Sequence, residues 1–480
     1  MTGTVDSLRS HIADLALSAN EQRKEMNKGK SYQNVLIDLL NQIKRVDFRD
    51  KAGLDIDEKI PRKLYVVISI DSILEIAITN NWGLCTKDGF IYVFNSKYWQ
   101  VVSAEDFKPF LAKAAMKMGV PELEAKYHQF KDELYKQFLS ASNLPTPEVK
   151  YNVLINLLNG TFEISNEKQE LREPEREDFL KYQLPFEYDA TAKCPLFDKY
   201  LNRVLKDEDC KKVLAEYLGY IFVNNLKLEK ALILYGSGAN GKSVFFEIVN
   251  AILGDENICS YSLQNLTKYD SYQRAELSNK LLNYASEING KLEASIFKQL
   301  VSGEPVEARQ IYGKPFVMRV YGKLMFNCNE LPKEVEQTNA FFRRFIIIPF
   351  SETIPEQEQD PELAKKIINS ELSGVFNWIL AGLRRILRQK KFTQSTLVKD
   401  QVNAYRKESD SVAMFIDEEN YTPTSGEPNI LLKTMYGEYK TYSIENGYKA
   451  CSIRSVSERI KMLGFTTEKT RNGIIVYAKK

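Results

Sequence analysis

Apolar and polar positions change period several times along this chain, and the changes mark out its elements. Ala231 to Tyr235 is an unbroken apolar run with the length of a buried strand. Glycine and polar residues fill Gly236 to Ser243, and apolar residues then return at Val244, Phe245, Ile248, Val249 and Ile252, the spacing of a helix with one buried face. Downstream, Lys280 to Ala285, Lys323 to Phe326 and Phe345 to Phe350 read as strands. Ile296 to Tyr321 holds two strands flanking the turn Ile311-Tyr312-Gly313-Lys314-Pro315. Pro361 to Leu387 predicts two helices and Val398 to Glu419 one more. Upstream, residues 1 to about 60 are highly charged, with helical spacing over Ser31 to Val46. Leu64 to Ile70 and Phe90 to Val102 predict strands, and Ala104 to Met118 and Pro121 to Leu139 predict helices, together a small mixed α/β module. Asn159-Gly160 is a turn signal between two strands, and Asp207 to Val223 is a helical run.

The stretch between the Ala231 strand and its helix carries the clearest chemistry. Gly236, Ser237, Gly238, Ala239, Asn240, Gly241, Lys242 and Ser243 fill the pattern G-x-x-x-x-G-K-[ST]. Its glycines permit positive φ and close backbone approach, so that successive N–H groups point at one anion beside a helix N-terminus. Lys242 would reach the β- and γ-phosphates of ATP and the Ser243 hydroxyl would bind Mg²⁺. An ordinary glycine turn would show these fixed positions by chance in roughly one chain of this length in fifty. The strand before and the helix after make that coincidence rarer still.

Bulk properties narrow the setting. A length of 480 residues with 44% hydrophobic suits about three domains. No apolar run reaches the ~18 residues of a membrane span, and the N-terminus lacks a basic region followed by an apolar block, so a cytoplasmic, membrane-free protein is expected. The six cysteines form no C-x-x-C pair, which fits reduced thiols and argues against a zinc ribbon. With only His11 and His128, histidine-based catalysis is poorly supported. Asp55-Ile56-Asp57 could be read as a primase metal site, but no supporting histidine or carboxylate motif follows, and a solvated loop explains it better. Net charge is only +2, unevenly spread: Leu431 to Lys480 carries ten Lys/Arg against four Asp/Glu, while Ser351 to Glu362 is acidic.

Taken in order, several stretches resemble one family. A strand pair around Asn-Gly, then L-P-x-x-Y-D-x-x-A-x-C-P-x-F, then Glu216-Tyr217-Leu218-Gly219-Tyr220, then the phosphate loop, resembles the poxvirus-type and phage/plasmid primase-helicases within superfamily 3. These are hexameric AAA+ motors. The resemblance implies that Ser286-Glu287, ending its strand, supplies the carboxylate that holds Mg²⁺ through water and orients the attacking water, with Asp270 and Glu276 as competitors that follow no apolar strand. It implies a polar sensor in the form N-x-x-P, which selects Asn329 over Asn327. It also implies an arginine finger for the neighbouring subunit's site, Arg344 with Arg343 as the alternative. The hairpin of the 296–321 stretch would face a central channel, where Lys314 meets phosphate and Tyr312 stacks on a base, with Lys298 and Arg309 behind.

The final segment resembles a winged helix: Ile430 to Ile444 as one helix, Ser452 to Leu463 as a recognition helix, and Phe465 to Lys479 as a wing turned at Asn472-Gly473. Arg454, Arg459 and Lys461 suit duplex phosphates there. The expected fold is therefore an α/β P-loop AAA+ core (226–395) behind a mixed α/β N-terminal region of unclear role (1–149) and a family-specific collar segment (150–225), with a helical linker and winged helix (396–480) after it. The implied function is an ATP-dependent, ring-forming DNA helicase that replicates a phage, plasmid or other mobile element, working as a hexamer beside a separate primase or polymerase. A DNA-binding NTPase acting as origin initiator or defence-type sensor is the alternative.

Overall fold

The computed structural model describes residues 22, 25–79, 83–87, 89–142, 152–165, 168–286, 288, 292–311, 315–332 and 335–480. The chain divides into two compact units, Met1–Thr191 and Ala192–Lys480, so the expected 150–225 segment is split between them.

The first unit opens with helices α1 (Tyr32–Gln42), α2 (Phe48–Ala52) and α3 (Arg62–Thr79). The run Leu64 to Ile70, read as a strand, lies inside α3. Its β-branched residues look strand-like, but the apolar stretch continues to Ala77, and the buried Val66, Ile70, Ile73 and Ala77 recur at helical spacing. A three-stranded antiparallel sheet follows, β1 (Leu84–Lys87), β2 (Phe90–Phe94) and β3 (Trp99–Val102), then α4 (Ala104–Met118). The single helix expected over 121–139 is two, α5 (Glu122–Lys126) and α6 (His128–Ala141), because Tyr127 adopts extended backbone. A second antiparallel sheet comprises β4 (Val153–Leu157), β5 (Gly160–Ile164) and β6 (Gln169–Arg172). Asn159 both makes the β4–β5 turn and clamps the chain at Tyr188, accepting from its N–H at 2.8 Å and donating to its carbonyl at 2.9 Å.

The second unit starts with α7 (Pro195–Val204) and α8 (Glu208–Tyr220). Then come β7 (Ala231–Tyr235), α9 (Lys242–Leu253), β8 (Ile258–Cys259), α10 (Leu263–Thr267) and β9 (Leu282–Ala285). Helix α11 (Ala294–Ser302) leads into the hairpin β10 (Val306–Arg309) and β11 (Pro315–Met318), followed by β12 (Lys323–Cys328), α12 (Asn339–Phe342) and β13 (Phe345–Pro349). Five strands form one parallel sheet in the order β13-β7-β12-β9-β8. Both faces of β7 are buried, as a parallel sheet requires: Ala231 and Ile233 join a core with Phe297, Phe341 and Phe345, and Leu232 and Leu234 are covered on the other side.

Residues 363–389 form one 27-residue helix, α13 (Leu363–Gln389), where two were expected. Its glycines are close-approach points rather than breaks. A Cβ on Gly382 would sit 2.3 Å from the Ala215 carbonyl oxygen of α8, and one on Gly219 of α8 would sit 2.7 Å from the Leu383 backbone. Fully buried Glu216 locks the same contact, accepting from Arg385 at 3.0 Å and from the Thr393 N–H at 2.8 Å. Tyr217 donates to the Leu324 carbonyl of β12 at 2.6 Å, so the Glu216–Tyr220 motif fastens helices and sheet together.

The single helix expected over 398–419 is again two, α14 (Thr396–Glu408) and α15 (Ser411–Glu418), because Asp410 caps the second by accepting from the Val412 N–H at 3.0 Å. The remainder is β14 (Thr422–Pro423), β15 (Ile430–Leu431), α16 (Leu432–Glu445), α17 (Ile453–Met462), β16 (Thr467–Thr470), β17 (Gly473–Val476) and β18 (Ala478–Lys479). Ile430 and Leu431 do not start the helix, as expected, but add a third strand to the 467–476 hairpin, in the order β15-β17-β16. With α15, these pieces surround a core of Phe415, Met435, Tyr439, Val456, Ile460 and Val476. No helix among the described residues is long and apolar enough to cross a membrane.

Candidate functional site

The loop between β7 and α9 lies at the carboxyl ends of the parallel strands, where open α/β sheets bind ligands. Three of its residues have positive φ, Gly238 (+116°), Ala239 (+47°) and Gly241 (+87°), which turns the backbone inward ahead of the helix. Space enforces the pattern as well. A Cβ on Gly236 would lie 2.3 Å from the Phe350 carbonyl oxygen, and one on Gly241 would lie 2.8 Å from Val204 Cγ1 of α7. Tyr200, also on α7, donates to the Gly241 carbonyl at 2.8 Å, and its burial raises its phenol pKa well above the ordinary range. Asn240 is buried and donates to the Phe350 carbonyl at 2.9 Å.

Lys242 is buried within this cradle, where its ammonium donates to the Gly236 carbonyl at 2.5 Å and to Asn240 Oδ1 at 3.1 Å. Burial lowers its pKa, and an anion arriving at Nζ would oppose that shift by favouring the charged form. Cys328 nearby has its pKa pushed up to about 11 by burial and stays a neutral thiol. Ser243 is exposed at the first turn of α9. This donor set fits a polyphosphate with Mg²⁺: an inward nest of N–H groups, one cation and one hydroxyl.

Around the cradle is a cleft of about 960 Å³. Gly238 to Ser243 line it together with Asn329, Tyr200 and Arg203 of α7, Glu247 of α9, and Glu358 and Asp360 of the acidic segment. Asn329 is exposed beyond the end of β12, whereas Asn327, inside the strand, is buried and accepts from the Tyr284 hydroxyl at 2.8 Å. Glu287 lies outside the described residues. Its strand β9 runs level with the others, Ala285 pairing with Phe326, which pairs with Ile233. Asp270 opens onto a different groove.

The adjacent arginines differ sharply. Arg344 is 9% exposed and donates to Ser302 Oγ at 2.9 Å and to the Ala340 carbonyl. Arg343 is 51% exposed and pairs with Glu229 at 2.5 Å. Both precede the amino end of β13, whereas the cradle lies past its carboxyl end, and the strand alone spans about 16 Å. Neither arginine can serve its own chain's cleft.

Of the expected nucleic-acid residues, Tyr312 and Lys314 lie outside the described residues. Their hairpin is present, with Arg309 exposed on β10. Lys298 is held by Glu336, 3.0 Å from both carboxylate oxygens. On α17, Arg454 is exposed, with a 3.3 Å pair to Glu458, and Lys461 is exposed. Arg459 instead reaches the cap of α15, 3.0 Å from Asp410 Oδ1.

Sequence reasoning missed Tyr200, Arg203 and Glu371. Glu371 of α13 accepts from the N–H groups of Leu196 (3.0 Å) and Phe197 (2.9 Å), fixing the start of the helix that walls the cleft. The stripe Phe197, Tyr200, Leu201 and Val204 reads as core, and nothing local says that it packs on the phosphate loop.

Residues 72–206 match the family described as D5 N terminal like, and residues 234–344 match a family of unknown function, DUF5906. The chain is 24% identical over 335 residues to "Putative helicase 121R" of Invertebrate iridescent virus 3, an alignment covering 61% of this chain and 35% of that protein. It is 25% identical over 229 residues to "Putative helicase L207/L206" of Acanthamoeba polyphaga mimivirus, covering 45% and 23%. The chain thus spans about a third and about a quarter of these relatives' lengths. Among solved structures, "The A form apo structure of NrS-1 C terminal region-CTR" aligns at TM-score 0.46 and 15% identity, covering 84% of this chain and 97% of that one. "The apo structure of NrS-1 C terminal region (305-718)" aligns at 0.41 and 14%, covering 88% and 99%. The D5 N terminal like match and the viral relatives together support kinship with the D5-type primase-helicases.

Proposed function

We propose that this chain is the subunit of an ATP-driven, ring-forming DNA helicase with an AAA+ core and a C-terminal winged helix, serving replication of a mobile element. One observation carries the reading: a single cleft gathers the phosphate loop and Asn329, while Arg343 stands at the far end of β13, out of reach of its own cleft. Such a chain completes its site with a neighbour's arginine. The helicase names of the viral relatives and the D5 N terminal like match support the replication context. The α15-β15-α16-α17-β16-β17 order supports the winged helix.

In this reading the loop N–H groups and Lys242 bind the phosphates, and Ser243 would hold Mg²⁺, which would supply charge neutralisation for phosphoryl transfer. Asn329 orients the lytic water by a neutral amide, and Glu287, which follows β9 in sequence, supplies the orienting carboxylate. Arg343 of the adjacent subunit offsets charge developing in the transition state. Its exposure and solvent-accessible ion pair suit that role better than the buried Arg344, which donates to Ser302 and Ala340. Strand displacement on forked DNA, run beside ATPase assays with and without single-stranded DNA, tests the function. DNA-stimulated turnover with displacement is expected; turnover without displacement would point to an initiator or sensor.

A further inference from the structure

The two ends of β13 carry opposite charge. Beyond its carboxyl end, residues 351–362 include Glu352, Glu356, Glu358, Asp360 and Glu362 and no Lys or Arg. This segment is tied to the phosphate loop, its Ile354 N–H donating to the Ala239 carbonyl at 2.8 Å, and it forms part of the cleft wall. Exposed pairs engage Glu358 with Arg203 (2.6 Å), Asp360 with Lys366 (2.6 Å) and Glu362 with Lys365 (3.0 Å). Glu352 and Glu356 have no ion-pair partner among the described residues.

At the amino end of β13 is a groove of about 320 Å³ over Phe342 and Phe392, lined by Lys230, Arg343, Lys391 and Lys399. Glu229, next to Lys230 in sequence, is taken up by Arg343 and Arg344. Lys391 and Lys399 are exposed and have no ion-pair partner among the described residues. Burial, and secondarily Arg343, lower the pKa of Lys230, while Glu229 opposes the shift.

We propose that this basic groove docks the acidic 351–362 segment of a second copy of the chain. The complementary surfaces lie at opposite ends of a rigid strand and cannot meet within one molecule. Two unlike surfaces so arranged make a head-to-tail contact, which closes into rings or runs on as filaments. Because the segment borders the cleft, the docking also carries Arg343 toward the neighbour's phosphates. The inference rests on the ring reading above and adds to it the contact that sets subunit order.

The test is a charge exchange read by sedimentation velocity of the full chain, with Mg²⁺ and a slowly hydrolysed ATP analogue. Lys391→Glu/Lys399→Glu places acid against acid, and Glu352→Lys/Glu356→Lys places base against base. Each double variant should raise the concentration needed for assembly by about tenfold or more. An equimolar mixture should return assembly to near the wild-type concentration, because alternating subunits make every contact complementary. Either variant assembling like wild type would overturn the proposal, as would a mixture no better than its components. If Lys391→Glu/Lys399→Glu assembles normally but loses single-stranded DNA binding, the groove is a nucleic-acid surface and the proposal falls. Wild-type protein that stays monomeric at every concentration would remove the ring reading as well.

Discussion

Replacing the two neighbouring arginines one at a time should give opposite phenotypes. Arg343 is half exposed and its pair with Glu229 is solvated, so Arg343→Ala should change stability by no more than about 1 kcal/mol. If its guanidinium completes the adjacent site, turnover should fall by roughly 10³-fold or more, as for arginine fingers elsewhere. Arg344→Ala instead removes a buried group that donates to Ser302 and Ala340, leaving those oxygens unpaired around a void. A loss of about 3 kcal/mol is expected, which at roughly 2–4 °C per kcal/mol lowers the melting midpoint by about 6–12 °C. Arg344→Ala should nevertheless retain turnover within about tenfold of wild type when assayed well below its midpoint. Differential scanning fluorimetry and a coupled ATPase assay at two protein concentrations read both effects. An Arg343→Ala protein that hydrolyses ATP near the wild-type rate, beside a folded but inert Arg344→Ala protein, would refute the assignment.

Three further outcomes follow from the geometry. Gly241→Ala, at φ +87° and facing Val204, should lose binding of a fluorescent ATP analogue by tenfold or more, measured by titration. Lys323 stands 4.4 Å from the centre of the Tyr220 ring, and burial lowers its pKa to about 8. The unfolded chain therefore binds more protons between about pH 8 and the ordinary lysine range, and stability should rise with pH across that window; urea midpoints should lose this rise in Lys323→Met. On α17, Arg454→Ala with Lys461→Ala should weaken duplex binding and reduce the salt slope by about two, whereas Arg459→Ala should mainly lower thermal stability because Arg459 holds Asp410.

The cradle was legible because its chemistry is local: a fixed spacing of glycine, lysine and serine between a strand and a helix needs no distant partner to be recognised. Asn329 was picked from its N-x-x-P setting; it lines the cleft, whereas Asn327 inside β12 is engaged by Tyr284. Which of Arg343 and Arg344 is exposed was not legible. Adjacent identical residues are separated only by which one the chain turns toward Ser302, a contact 42 positions away in sequence. The same limit hid the role of α7, whose Tyr200 and Val204 read as ordinary core. It also hid the nature of α3, where a β-branched run belongs to a helix with one buried face, and of α13, a single helix whose Gly382 packs closely on α8.

The account's central claim is that each nucleotide site is shared between two copies of the chain. Mixing Lys242→Ala subunits with Arg343→Ala subunits tests it most directly, because each is expected to be inert alone while about one interface in four of a random mixed ring pairs an intact cradle with an intact finger. The prediction is ATPase activity that appears on mixing and rises with protein concentration. Mixed assemblies seen by native mass spectrometry that remain without activity, or an Arg343→Ala protein fully active by itself, would contradict the claim.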